Sequence, residues 1–151
     1  MIVTSIGTDV MAFVDRVRTR TDRFKEIVIC SPFIDAVMAD LLVGLLLDGR
    51  RTQCAVRVIT TPESAQFLVP LLPGHRAFWR DALVTRRRLH AKIYLAVARR
   101  ADESEAIVTS ANLTIGGTSA NIELGIRILA TTEFGRRVLQ QVHHFVRRIA
   151  A

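Results

Sequence analysis

Cysteine, lysine and long apolar runs are scarce in this chain of 151 residues, and each scarcity excludes a class of protein. Only two cysteines are present, Cys30 and Cys54, which excludes a disulfide-rich scaffold and predicts two buried, reduced thiols. The longest nearly apolar stretch, residues 36–47, contains Asp40 and is too short to cross a bilayer. The first residues have no basic segment before an apolar one, unlike a secretory signal. We therefore expect a cytoplasmic protein without stable membrane association.

Apolar residues, in contrast, make up 50% of the chain, and the mean hydropathy is +0.28. This content excludes a disordered or collagen-like chain and is sufficient for a buried core. No linker, internal repeat or low-complexity segment interrupts the sequence. Residues 1–151 are therefore expected to form a single domain.

The charge is one-sided, with 21 basic and 14 acidic residues, a net charge of +7 and an isoelectric point near 10.9. Such a balance favours an anionic partner: nucleic acid, a phosphorylated small molecule or an acidic membrane surface. Lys25 and Lys92 are the only lysines, and the other basic residues are arginines. Because this skew is equally typical of GC-rich coding, the charge alone leaves the nature of the partner open.

Segments of helical and strand-like periodicity alternate along the chain, which predicts an α/β sandwich with a mixed β-sheet flanked by helices. Asp35, Thr61 and Thr132 are placed to cap helices at their N-termini, and Gly49 is placed to end one. The predicted strands are Glu26–Phe33, Ala55–Thr60, Leu89–Ala98, Ala106–Ser110 and Glu123–Leu129, with a helix over residues 9–20 and others after Asp35, Thr61 and Thr132.

Three helices have predicted apolar faces, the first formed by Val10, Phe13, Val14 and Val17. One stretch of the chain has no clear period. The helix after Asp35 is expected to bury Val37 with four leucines, and the last helix is expected to bury Phe134 and Phe145 with three aliphatic residues. Residues 74–88 show no clean periodicity. Within them, Trp79 beside Phe78 fits a core position better than a platform for stacking bases.

His90 and Lys92 lie on one face of a predicted strand, because side chains two residues apart point the same way. Their side chains would be about 7 Å apart and could reach one small anion. His-x-Lys by itself is common, and taken alone it is better explained by a half-exposed strand with a solvated face. Ser110 and Asn112 end the next predicted strand with the same parity, and Glu123 opens the following one. A carboxylate at that position could hold the tautomer of a catalytic imidazole.

These three blocks together resemble the phospholipase D superfamily, and most closely its nuclease-type domains from prokaryotes. The superfamily signature is His-x-Lys-x4-Asp followed by Gly/Ser-Ser-x-Asn, and the corresponding stretches here read LHAKIYL, AIVTSANLT and NIELG. The resemblance covers residues 89–125 and extends to the preceding strand–helix–strand pattern. The chain departs from the signature at Val97, where the aspartate would fall, and at Thr109, where glycine is common.

The resemblance implies a metal-independent phosphodiesterase without a cofactor, acting through a phosphohistidine on His90. Lys92, Ser110, Asn112 and Glu123 complete the implied catalytic set, with Lys92 and Asn112 stabilising charge on the phosphate. The reaction requires two such motifs, and this chain has one. The implied assembly is therefore a homodimer in which two copies of His90 face each other across the twofold axis.

Weaker candidates for substrate binding surround this set. Ser31 and Phe33 follow the first predicted strand, where the family lines its pocket, and three arginines run directly into the His90 strand. No cluster with metal-ligand spacing is present, since His143 and His144 are adjacent on a helix and diverge by about 100°. The three arginines are Arg86, Arg87 and Arg88.

DNA or RNA is the favoured substrate. The alternatives are a non-catalytic nucleic-acid-binding or dimerisation module and a phospholipid phosphodiesterase.

Overall fold

A computed structural model of the chain describes residues 1–74 and 79–151 and has the predicted α/β architecture. Seven strands form one mixed sheet in the order β1-β7-β6-β5-β2-β3-β4. The strands are β1 (Ile2–Ser5), β2 (Phe24–Cys30), β3 (Ala55–Thr60), β4 (Leu83–Thr85), β5 (Ile93–Ala98), β6 (Glu105–Thr109) and β7 (Gly125–Leu129), and the helices are α1 (Gly7–Thr19), α2 (Ala36–Thr52), α3 (Pro62–Leu68) and α4 (Glu133–Ala150).

The direction of the strands determines which residues meet at one edge of the sheet. β2 pairs in parallel with β3, and β3 pairs in parallel with β4. The other neighbours are antiparallel, with Cys30 opposite Ile93 and Thr109 opposite Gly125. The start of β5, the end of β6 and the start of β7 therefore lie side by side. We call this the site edge, because the segments that carry the motif residues adjoin it.

Helices cover both faces of the sheet and enclose two apolar layers. One layer packs α1, α2 and α3 against the sheet around Phe13, Leu42 and Tyr94. The other layer packs α4 against the opposite face, with Leu139 and Val146 in contact with the strands. No helix in the described part of the chain is long and apolar enough to span a membrane.

Three predicted helix caps are confirmed. The side chains of Asp35, Thr61 and Thr132 accept hydrogen bonds from backbone N–H groups three residues later, at 2.9, 3.4 and 3.1 Å. The predicted stop at Gly49 is wrong, because α2 continues to Thr52 and ends at Gln53 in the left-handed conformation. Gly49 is instead a packing position: a Cβ there would lie 2.3 Å from Val56.

Several predicted boundaries and faces differ from the structure. β1 was not predicted, because its short run pairs only with β7 and has no alternation of its own. The strand predicted from Leu89 begins at Ile93, so His90 and Lys92 lie in the irregular segment before it. The residues predicted to face the core but found exposed are Val37, Phe134 and Phe145.

Trp79 is buried, as the core interpretation predicted. Its indole N–H donates to the carbonyl oxygen of Pro73 at 2.8 Å, and the Arg50 guanidinium lies 4.8 Å from the ring centroid. With its polar edge and one face occupied, Trp79 is not available for stacking on a base. Phe78, the neighbour named with it, lies outside the described residues.

Both cysteines are free thiols in buried positions, as predicted. Burial raises the pKa of the Cys30 thiol to about 12 and that of Cys54 to about 11, since the charged thiolate is poorly solvated there. We therefore expect the native protein to react very slowly with a thiol-specific reagent at pH 8, and the unfolded protein to react at both sites. Rapid reaction of the folded protein would contradict the burial of these thiols.

Candidate active site

The polypeptide connects the motif segments at the site edge through its backbone. The N–H of Thr109, the last residue of β6, donates to the carbonyl oxygen of Lys92 at 3.2 Å. This bond extends the β5–β6 pairing one step beyond Ile93 and Val108. It brings the segment that carries His90 and Lys92 beside the segment that starts at Ser110. The predicted neighbourhood of the two motif blocks is therefore present in the backbone.

His90 and Lys92 precede the strand, and the residues that alternate with them are buried as predicted. Leu89 and Ile93 are buried in the layer beneath α4, whereas Tyr94 is buried on the opposite side of the sheet. His90 is exposed, Lys92 is half-buried, and the Lys92 ammonium donates to the His90 carbonyl oxygen at 3.2 Å. Within residues 1–74 and 79–151, no hydrogen bond to the His90 imidazole is found. The ring is therefore accessible to a ligand or to another chain.

Ser110 and Glu123 form the polar contact next to these residues. The Ser110 hydroxyl donates to a carboxylate oxygen of Glu123 and accepts from the N–H of Leu124 at 3.1 Å. The other oxygen of Glu123 accepts from the Asn121 amide at 3.4 Å. Among the described residues of one chain, Glu123 does not bond an imidazole, unlike the expectation from the sequence. Glu123 instead orients the Ser110 hydroxyl.

Asn112 carries an unusual polar atom at this edge. Its side-chain Oδ1 is buried without a hydrogen-bond partner, one of two such side-chain atoms in the described residues. Leaving a buried polar group unpaired costs about 1–3 kcal/mol, and a bound water, ion or ligand is the usual way to satisfy such an atom. Its backbone carbonyl, in contrast, accepts from Thr114 at 2.9 Å. The backbone is thus held locally while one end of the amide is unsatisfied.

The loop after Asn112 is held by residues from the first half of the chain. The Ser31 hydroxyl is fully buried, accepts from the N–H of Leu113 at 2.9 Å and donates to the Phe33 carbonyl at 2.8 Å. Asp35 accepts from the N–H of Ile115 at 2.7 Å. The Tyr94 hydroxyl donates to the Ala111 carbonyl at 3.0 Å, and burial raises the pKa of Tyr94.

These contacts change two interpretations made from the sequence. Ser31 positions the loop rather than binding substrate, since both functions of its hydroxyl are occupied inside the protein. Asp35 was predicted only as a helix cap, yet its second oxygen holds the loop beside Asn112. No local sequence signal reveals this role, because Asp35 and Ile115 are 80 residues apart. Phe33 is 60% exposed and remains free to contact a ligand.

The arginine run before His90 divides into two kinds of side chain. Arg86 donates to the carbonyl oxygens of Ile149 at 2.8 Å and Thr85 at 3.0 Å. It fastens the C-terminal end of α4 to the segment before His90, a structural contact that the sequence did not predict. Arg87 and Arg88 are exposed.

Val97 lies away from the site edge. It is half-buried in β5 on the same face as Leu95 and lines a cavity of about 210 Å³ beneath α4. His143, another lining residue, lies 2.7 Å from a carboxylate oxygen of Glu26. An aspartate at position 97 would therefore act on the packing of α4 and would not reach the groups around Lys92.

Among the described residues, no group of three or more His, Cys, Asp or Glu side chains could hold a metal ion.

The paired glycines of the loop after Asn112 offer a test of how tightly this loop is packed. A Cβ on Gly117 would lie 2.5 Å from the carbonyl oxygen of Asn112, whereas a Cβ on Gly116 would have nothing closer than 3.7 Å. We expect Gly117→Ala to destabilise the protein by about 1–3 kcal/mol through this overpacking, with Gly116→Ala within about 0.5 kcal/mol of wild type. Urea unfolding measures both, and equal effects would contradict the close approach.

No protein-family model matches the chain, and no curated protein matches it. Among solved structures, it is similar to NucT from Helicobacter pylori, with a TM-score of 0.54, 12% identity and coverage of 97% of both chains. It is also similar to TrmBL2, an archaeal chromatin protein described as having a novel mode of DNA binding, with a TM-score of 0.53 and 8% identity. That alignment covers 97% of this chain and 52% of TrmBL2.

A further similar structure is Nuc from Salmonella typhimurium, a phospholipase D family member, with a TM-score of 0.49 and 14% identity. The alignment covers 93% of this chain and 89% of Nuc. At these identities the similarities concern the fold alone. The α/β fold with a mixed sheet, predicted from the alternating helical and strand-like segments, is confirmed.

Proposed function

We propose that this chain, which has a phospholipase-D-like fold, is a metal-independent phosphodiesterase, and specifically an endonuclease that cleaves DNA or RNA. The observation that carries the proposal is the position of Lys92 beside the end of β6, fixed by the bond from Thr109. It gathers the exposed His90, the half-buried Lys92 and the Ser110–Glu123 pair at one edge of the sheet. An accessible imidazole next to an ammonium and a hydroxyl suits an incoming phosphodiester.

In the proposed reaction, the imidazole of His90 attacks phosphorus, a P–N bond forms, and the bond to the leaving oxygen breaks. The partner subunit's His90, acting as general acid, donates a proton to that oxygen. The same ring then takes a proton from water, which displaces the phosphoryl group and regenerates the nucleophile. Lys92 and the Asn112 amide stabilise charge on the non-bridging oxygens in both steps.

The second histidine requires a homodimer, and the surface around the site supports one. Ile122 is fully exposed and Leu124 is 68% exposed, so apolar side chains flank Glu123 on both sides in the chain. Ile126, two residues after Leu124 in β7, is also exposed. Exposed apolar side chains grouped in this way are typical of an interface. We propose that a second copy covers them and that the twofold axis passes beside His90.

The proposal is tested by incubating the protein with plasmid and single-stranded oligonucleotides in excess EDTA. Cleavage in EDTA, with a covalent protein–oligonucleotide adduct trapped by quenching in alkaline detergent and lost on His90→Ala, is the expected result. Acid-labile phosphate separates a phosphohistidine from a phosphoserine at Ser110. Cleavage that needs added Mg²⁺, or that survives His90→Ala, would contradict the mechanism.

A second candidate is a nucleic-acid-binding module without catalysis. Two observations favour it: the His90 imidazole has no orienting partner within the described chain, and TrmBL2, which shares the fold, is a DNA-binding chromatin protein. Binding without cleavage in the same assay would establish it. Hydrolysis of phospholipid vesicles in preference to nucleic acid would indicate the third class, a phospholipid phosphodiesterase.

The free thiols of Cys30 and Cys54 suit a reducing compartment, and we propose a cytoplasmic location.

A further inference from the structure

Exposed basic side chains without a hydrogen-bonded or ion-paired partner gather at two places in the described part of the chain, with Arg80 apart from both. Many other arginines are already engaged: Glu105, for example, holds Arg16 and Arg127. The unengaged groups are Arg87, Arg88, Arg147 and Arg148, which we call the arginine surface, and Arg18, Arg20, Arg23 and Lys25, which we call the distal group.

The two groups lie at opposite ends of the sheet. The distal group surrounds the start of β2, where the N–H of Arg99 donates to the Arg23 carbonyl just beyond the end of β5. The arginine surface adjoins the start of β5. There Arg86 binds the carbonyl oxygen of Ile149 at 2.8 Å and joins the end of α4 to the segment before His90. Each of its four arginines lies within two residues of that contact.

We infer that the arginine surface binds the phosphodiester backbone of a nucleic-acid strand and directs it to His90. This inference rests on the proposed function and specifies how that site takes a polymer. Arg88 is two residues before His90, so a strand held by the surface continues directly into the site. No feature of the motif identifies Arg147 and Arg148. The fold brings them into the arginine surface because α4 ends against this segment.

The chemistry of the surface suits a polyanion. Guanidinium groups present planar donor pairs that match phosphate oxygens and stay charged at all relevant pH values. No carboxylate of the described residues pairs with any of the four side chains, so their charge is not neutralised within the protein. Arg147 and Arg148 also lie in the last turn of α4, where cations are favoured by the helix dipole. That stabilisation is small and leaves the guanidinium groups free to bind ligand.

The test compares two sets of substitutions of equal charge. One variant replaces the four arginines of the arginine surface by glutamine, and the other replaces the four residues of the distal group by glutamine. Fluorescence anisotropy measures binding of a labelled single-stranded oligonucleotide at several salt concentrations. Hydrolysis of bis(p-nitrophenyl) phosphate, a diester too small to span the surface, reports on the site itself.

We expect the arginine-surface variant to bind at least tenfold more weakly at low salt. Its slope of log K against log salt should fall by about 3, the value for four phosphate contacts on a single strand. The distal variant should bind the oligonucleotide and hydrolyse the small diester as wild type does, and the arginine-surface variant should lose far more of its oligonucleotide binding than of its small-diester hydrolysis. If the wild-type protein does not hydrolyse the small diester, the proposed function is refuted. The binding comparison would still show whether the arginine surface binds the oligonucleotide.

Three results would overturn the inference. Equal weakening in both variants would show that net charge alone attracts the strand. Unchanged binding in the arginine-surface variant would show that the strand lies elsewhere. The third result is that the arginine-surface variant no longer binds vesicles containing phosphatidylserine but still binds the oligonucleotide. That result would assign the surface to a membrane. Circular dichroism spectra verify that both variants are folded. If the fourfold arginine-surface variant does not fold, the double variant Arg87→Gln and Arg88→Gln replaces it.

Discussion

Replacing His90 by alanine is expected to lower phosphodiester cleavage by at least about 10⁴-fold, since the variant loses the nucleophile and the general acid together. The fold should be unchanged, because the His90 side chain is exposed and no hydrogen bond to its ring is found in residues 1–74 and 79–151. Steady-state hydrolysis of bis(p-nitrophenyl) phosphate measures the loss. His144→Ala is the matched control, because that histidine is also exposed but lies on α4.

Mixing the two proteins tests whether one site uses two copies of His90. If wild-type and His90→Ala chains are unfolded, mixed and refolded together, activity should fall as the square of the wild-type fraction. A site contained in one chain would give a linear fall. A linear result together with full loss in His90→Ala would retain the nucleophile and refute the shared site. Residual cleavage within tenfold of wild type in the pure variant would refute both.

Glu105→Gln is expected to cause the largest loss of stability among the charged residues discussed here. Glu105 is 4% exposed, and its two oxygens accept from Arg16 at 2.9 Å and Arg127 at 2.8 Å. Removing one member of a buried ion pair costs about 3–5 kcal/mol. Because both arginines are about one-third exposed, water compensates part of this. We expect a loss of about 2–3 kcal/mol in the free energy of unfolding.

Urea denaturation measures this loss, and Glu103→Gln is the control. Glu103 forms an ion pair with Arg100 in which both side chains are more than one-third exposed, so its removal should change stability by less than about 1 kcal/mol. A change below about 1 kcal/mol for Glu105→Gln would show that the two arginines are equally well solvated without it. Only the pairing of β6 with β7 brings Arg127 beside Glu105.

The alternation of helical and strand segments and three helix caps could be predicted because both depend on neighbours in the chain. The caps at Asp35, Thr61 and Thr132 follow from contacts three residues apart, and each is present. The alternation that put His90 and Lys92 on one face also depends only on adjacent residues. Boundaries were less well predicted: β5 begins at Ile93 because pairing with Cys30 and Val108 starts there.

The partners of the polar side chains could not be predicted, because they come from distant parts of the chain. Ser31 and Arg86 have the residue types of ligand-binding groups, and their ordinary chemistry gave no reason to assign them a structural role. The fold uses the first to hold the loop at Leu113 and the second to hold the end of α4 at Ile149. Hydrogen-bonding capacity is a property of the residue, whereas its use depends on what the fold brings near.

The sequence by itself therefore determined the α/β class, three helix starts and the candidate residues for the proposed reaction. Local spacing and residue chemistry are sufficient for these. The tertiary structure decided that Glu123 orients Ser110, that Val97 packs beneath α4 and that the end of α4 adjoins the segment before His90. These features depend on strand order and on helices returning across the sheet. Such long-range contacts form only when the whole core is buried, and no local pattern encodes them.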